Sequence, residues 1–99
     1  MPVTAIIRFK LAPEYVDEAL TLLRAVQDTA IAAGAHSMQL LQDQSDPTLL
    51  FEIETWDSAD AHKAYVEAGM ADGGFQTFMS WVVEPPVTHY LELQASSSR

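Results

Sequence analysis

Glu54, Trp56, His62 and Tyr65 fall within one short stretch of the chain and carry side chains from which an acid–base site could be built. A histidine with an ordinary pKa of roughly 6.5 can accept a phenolic proton at neutral pH, and a tyrosine hydroxyl can hold the oxyanion that develops. His62 and Tyr65 are three residues apart, so on a helix they share a face, with Trp56 just upstream. The catalytic candidates are therefore His62, Tyr65 and Glu54. Each also has a structural reading. His62 would then be a solvated helix residue and Tyr65 a core residue, while Glu54 would be held by Arg8 or by backbone donors. Trp56 either touches a ligand or packs a strand end, and its indole N–H calls for a partner in both cases.

These side chains depend on a strand and a helix. Residues 48–56 alternate, sending Leu49, Phe51 and Ile53 to one face and Leu50, Glu52, Glu54 and Trp56 to the other. Carboxylates beside a tryptophan in mid-strand are unusual for a sheet with one dry side. Asp57 or Ser58 then caps a helix that runs to about Ala68 and closes at Gly69. Upstream, Val3 to Leu11 has strand periodicity. Pro13 opens a helix over about 13–33, with Val16, Ala19, Leu20, Leu23, Val26 and Ala30 at helical spacing and Gly34 as its stop. His36 to Asp43 reads as a second strand, joined to the third through the turn chemistry of Ser45-Asp46-Pro47. After the pliable Asp72-Gly73-Gly74, the residues Phe75, Phe78, Met79 and Val82 mark a short helix. Pro85-Pro86 ends it, and Val87 to Leu93 forms the last strand. Aromatics and methionine beside a Gly-Gly hinge pack a core or wrap a flat apolar ligand.

Two strands bracketing each helical block, with the second and third as a hairpin, give an α+β, ferredoxin-like four-stranded antiparallel sheet with helices on one face. The expected division is a single domain over 1–94 and a disordered tail over 95–99. The opposite sheet face keeps large apolar residues and would be covered by a second copy, hence a homodimer. Composition narrows the partners. Of 99 residues, 48% are hydrophobic and 19% charged, with five basic against fourteen acidic residues and a formal charge of -9. Such a chain repels nucleic acid and anionic membrane surfaces, and no apolar run reaches the roughly 20 residues of a membrane span. Met1-Pro2-Val3-Thr4 lacks a basic leader region, so a cytoplasmic location is expected. With no cysteine, and with His36, His62 and His89 outside any short ligand spacing, neither a thiolate nor a metal site is expected.

The Glu-x-Trp strand end, the Asp/Ser-capped Ala-rich helix and the order strand, helix, strand, strand, helix, strand resemble the antibiotic biosynthesis monooxygenase (ABM) family. That resemblance implies a dimeric α+β barrel with a pocket between the sheet and its own helices, and Trp56 matches the tryptophan on the pocket wall. Glu52 stands four residues before it, where quinone-forming relatives carry an asparagine that binds the substrate oxygen. Ile7 and Val66 replace the asparagine and axial histidine of the haem-degrading branch, which argues against haem degradation. On this reading Trp56, Glu52, Ile7, Phe9, Phe78 and Met79 bind substrate, with His36 and His89 in second rank. The implied activity is cofactor-independent oxidation of a polycyclic phenol or hydroquinone, a polyketide-type aromatic, by O2 to a quinone. A cofactor-free polyketide cyclase or isomerase of the same fold, or a non-catalytic small-ligand-binding dimer, are the alternatives.

Overall fold

The computed structural model describes residues 2–99. Strand β1 (Val3–Lys10) leads through a 3-10 turn (Pro13–Tyr15) into helix α1 (Val16–Ala33). The β2 (Ser37–Gln42) and β3 (Leu49–Trp56) hairpin follows, then α2 (Ala59–Ala71), the short α3 (Gln76–Met79) and β4 (Val87–Leu91). The sheet is antiparallel, in the order β2-β3-β1-β4. This is the expected ferredoxin-like arrangement, with both long crossovers on one face.

Local chemistry sets the ends of the elements. Pro13 fixes the first turn before α1 in 3-10 form, so the α-helix proper begins three residues later than the proline suggests. Gly34, at φ 127°, ends α1, and Ala35 N–H donates back to Ala30 O at 3.0 Å, satisfying a carbonyl the helix leaves open. In the β2–β3 turn, Asp43 Oδ2 accepts from the backbone N–H groups of Ser45 and Asp46. Asp46 Oδ1 accepts from Thr48 N–H at 3.0 Å, and Lys10 Nζ reaches Asp46 Oδ2 at 2.7 Å. The hydrogen bonds from Lys10 and Thr48 hold the Asp46 carboxyl down at about 2. Ser58 Oγ caps α2 by accepting from Ala61 N–H at 3.1 Å.

Beyond the start of α1 and one-residue shifts in β1, β2 and β3, the ends of α2, α3 and β4 differ from those read in the sequence. Helix α2 does not stop at Gly69 but continues to Ala71, because Gly69 serves packing and not termination: a Cβ there would overlap the Phe75 ring. Helix α3 ends at Met79, and Val82 instead makes a bridge to Leu11. Strand β4 ends at Leu91, where its pairing with Thr4 ends.

Val3, Ala5, Ile7 and Phe9 of β1 and Leu50, Glu52, Glu54 and Trp56 of β3 all face the helices and are buried. Ala19, Leu23 and Ala30 of α1 close the core from above, with Phe78 set edge-on against Phe9 at a centroid distance of 4.9 Å. The acids of β3 therefore lie on the covered side of the sheet.

Candidate functional site

Sheet register places the site in two rows. One runs Leu40, Glu52, Ile7, Thr88 and the next Met38, Glu54, Ala5, Tyr90, across β2, β3, β1 and β4 in turn. Ala5, with no side chain beyond Cβ, leaves room between Glu54 and Tyr90. Above these rows His62, Tyr65, Val66 and Met70 recur on one face of α2, and Leu22, Leu23 and Val26 present the matching stripe of α1. Between sheet and helices lies a cavity of about 310 Å³, lined also by Phe75, Phe78 and Met79. That volume falls at the lower end of the roughly 300–1,000 Å³ of small-molecule sites.

Trp56, Glu54, His62 and Tyr90 follow one another along one side of the cavity. Trp56 Nε1–H donates to Glu54 Oε1 at 3.0 Å, and the same oxygen is 3.9 Å from His62 Nε2. On the other side of the imidazole, Nδ1 is 2.8 Å from the Tyr90 hydroxyl. Burial pushes the Glu54 carboxyl up, against the lowering effect of the Trp56 hydrogen bond. Burial lowers His62 below its ordinary value, so the ring is neutral at pH 7. Desolvation, then the charges of Glu54 and Glu52, push the Tyr65 hydroxyl up to about 12. Glu52 is raised to about 8, mainly by burial and secondarily by Glu54.

The structure thus brings His62, Tyr65, Glu54, Glu52, Ile7 and Phe9 to one cavity, together with Phe78 and Met79. Three expected ligand contacts are corrected. Trp56 has no exposed surface and does not line the cavity; it lies behind the wall, its ring 5.6 Å from His62 and 5.4 Å from Tyr65 by centroids, where no ligand can stack on it. His36 precedes β2, is exposed, and pairs with Asp57 at 2.6 Å. His89 pairs in register with Ile6, on the opposite side of the sheet from the cavity, because its parity on β4 is that of Val87 and Leu91. Arg8 is likewise on that outer side, bound to Glu84 at 3.1 Å, and cannot hold Glu54. His62, at 4% exposure, is no solvated helix residue.

Tyr90 is the polar group that sequence reading missed. Its signal was the alternation within β4, which puts Thr88 and Tyr90 opposite in parity to His89. Only the β1–β4 register shows that this parity faces Glu54 and His62. Among the described residues, no group of three or more His, Asp or Glu is gathered as a metal site. None of the helices described is long and apolar enough to cross a membrane.

Comparison with solved structures finds the same fold in proteins of low sequence identity. The Rv0793 protein of Mycobacterium tuberculosis superposes with a TM-score of 0.81 at 20% identity, covering 99% of this chain and 100% of that one. PA3566 of Pseudomonas aeruginosa gives 0.79 at 23% identity, covering 95% of each chain. A crystal structure described as an antibiotic biosynthesis monooxygenase gives 0.81 at 17% identity, covering 94% of this chain and 99% of the other. No curated protein matches the chain in sequence. The family model for antibiotic biosynthesis monooxygenase, however, matches residues 2–80, which include both carboxylates, His62 and Tyr65. A match over most of the chain, on a fold that the superpositions share, makes this protein a member of the antibiotic biosynthesis monooxygenase (ABM) family.

Proposed function

We propose that the chain is a cofactor-independent monooxygenase that oxidises a polycyclic phenol or hydroquinone with O2 to a quinone. The observation that carries this reading is the 3.9 Å separation of His62 Nε2 and Glu54 Oε1 in the wall of a largely apolar cavity. The two atoms are too far apart to bond each other. Yet a hydroxyl oxygen can sit about 2.8 Å from both at once, the ordinary hydrogen-bond distance.

The chemistry follows from the protonation states. With Nδ1–H donated to the Tyr90 oxygen, Nε2 of neutral His62 carries the lone pair that takes the substrate proton. Tyr65 keeps its own proton and can donate to the phenolate. The indole of Trp56 fixes the Glu54 carboxyl, so Trp56 acts as a positioning residue. The electron-rich phenolate passes one electron to O2, and the radicals recombine at a ring carbon that bears hydrogen, para to the oxygen in a phenol and ortho to it in a hydroquinone. Loss of water from the resulting peroxide gives the quinone. One oxygen atom becomes the new carbonyl and the other leaves as water, with the substrate's O–H and ring C–H supplying both hydrogens. A dry cavity suppresses quenching of the intermediates.

Oxygen uptake with a tricyclic phenol tests the reading. One O2 consumed per quinone formed, with one labelled atom of 18O2 retained in the product, is expected. Turnover without oxygen to a cyclised or isomerised product would overturn it in favour of a cyclase, and binding without turnover in favour of a ligand-binding dimer.

A further inference from the structure

Glu52 takes no part in the hydrogen bonds of the site. The residue is 6% exposed and lines the cavity, and its Oε2 is buried without a hydrogen-bond partner. Buried polar groups are nearly always partnered, because an unmet donor or acceptor forfeits its hydration. Ionised, this carboxyl lacks a counter-charge; protonated, it has nothing to donate to. No group of the described chain supplies that partner.

Its surroundings define that partner. Among the described residues, no lysine or arginine lines the cavity. The titratable groups that face Glu52 are Glu54 on its own strand and His62 and Tyr65 from α2, with Tyr90 of β4 behind His62. The stretches of β1 and α1 in the wall contribute only apolar side chains, as does α3. The wall therefore holds two carboxyls and no cation, in a chain of net charge -9 that draws cations inward. Phe75 against Tyr65 and Phe78 against Phe9 add aromatic surface of the kind that attracts an ammonium group.

We propose that this cavity receives a lipophilic organic cation, an arylalkyl ammonium or quaternary ammonium, whose charge is met by the Glu52 carboxylate. Binding exchanges one cation for one proton: the Glu52 acid gives up its proton to solvent as the ammonium enters, and no covalent bond of the ligand changes. Because the free acid titrates near 8, affinity for a permanent cation rises with pH up to that value and then levels. The inference stands apart from the oxygenase reading and requires no turnover.

Benzyltrimethylammonium and its uncharged carbon isostere, neopentylbenzene, are the probes. Calorimetry in two buffers of different ionisation enthalpy is expected to show about one proton released per cation bound at pH 7, and affinity rising about tenfold per pH unit below 8. The isostere should bind more weakly and release none. Glu52→Gln should weaken the cation about tenfold or more, as expected for loss of a buried counter-charge, and leave the isostere within about twofold. Equal affinity for the two probes, cation binding without proton release, or an unchanged cation affinity in folded E52Q would each overturn the proposal. Tighter binding of a neutral carbonyl ligand as pH falls would do so too, by making Glu52 a donor. Should E52Q fail to fold, proton release by the wild-type protein still decides. Absent oxygen uptake beside intact cation binding would reject only the oxygenase reading, and the reverse result only this one.

Discussion

Burial governs the protonation of Glu52 and with it part of the pH dependence of stability. The folded pKa, about 8, lies above the ordinary 4.5, so between those values the fold holds a proton that the unfolded chain releases. Its contribution to stability is thus fully present below about 4.5 and is lost as pH rises towards 8, by up to about 1.4 kcal/mol per pH unit. His62 acts in the opposite sense: its lowered pKa removes stability as pH falls below roughly 6.5. Comparing wild type with Glu52→Gln isolates the first effect. The substitution is expected to raise the melting temperature at pH 8 relative to wild type by more than it does at pH 5. Parallel melting curves at the two pH values would show that Glu52 is not buried as an acid. For the base, His62→Gln is preferable to alanine, since truncation at this buried position would also strand the Tyr90 hydroxyl. Turnover of an accepted phenol should fall roughly 10²- to 10⁴-fold with the circular dichroism spectrum retained. Full activity would move the base assignment to Glu54.

Helix α2 and the 72–75 turn pack together around Gly69, which sets the place of Phe75 in the cavity wall. Gly69 lies inside the helix, and the Phe75 ring occupies the space its Cβ would take, packing in turn on Tyr65 at a centroid distance of 5.7 Å. Gly69→Ala sets two effects against each other. Alanine favours the helix by about 1 kcal/mol, whereas displacing a packed aromatic ring costs about 1–3 kcal/mol. Sterics should prevail, and chemical denaturation is expected to show net destabilisation. A gain in stability would mean that the ring is not seated on the glycine. Trp56, fully buried at the end of β3, should behave as a core residue, with Trp56→Ala lowering stability by about 3–5 kcal/mol in the same measurement.

At the scale of the molecule, both helical crossovers cover one side of the sheet and leave the other bare. That bare side carries Ile6, Phe51 and Ile53 at its centre, with Leu41, Val87 and Leu91 exposed at 47%, 43% and 45% around them. We propose that a second copy covers this face in a homodimer, since two-fold pairing of identical apolar faces removes both from water at once. Sedimentation equilibrium should give twice the 10.9 kDa chain mass, and Ile53→Lys should return the monomer. A wild-type monomer at micromolar concentration would sink the pairing.

The elements themselves were readable residue by residue, because the signals that make them act over a few positions. Alternation through Val3–Lys10 and Leu49–Trp56, the proline and glycine bounding α1 and the Ser58 cap are all local, and so the four strands, the long helices and the shared face of Glu52, Glu54 and Trp56 followed from the chain. The pairing of His62 with Tyr65 on one helix face was local too. What the chain could not disclose was which groups meet across elements. Tyr90 lies far from His62 in sequence and reaches its Nδ1 only because β4 pairs with β1 in a register that puts Tyr90 opposite Ala5. The same register sends His89 to the outer face, and the packing of Gly34 against the indole encloses Trp56 completely. Whether Gly69 ends a helix or seats a ring depended likewise on a side chain from another element. Periodicity fixes the face a residue takes on its own strand or helix, but contact between elements depends on register and volume, which are properties of the assembled fold.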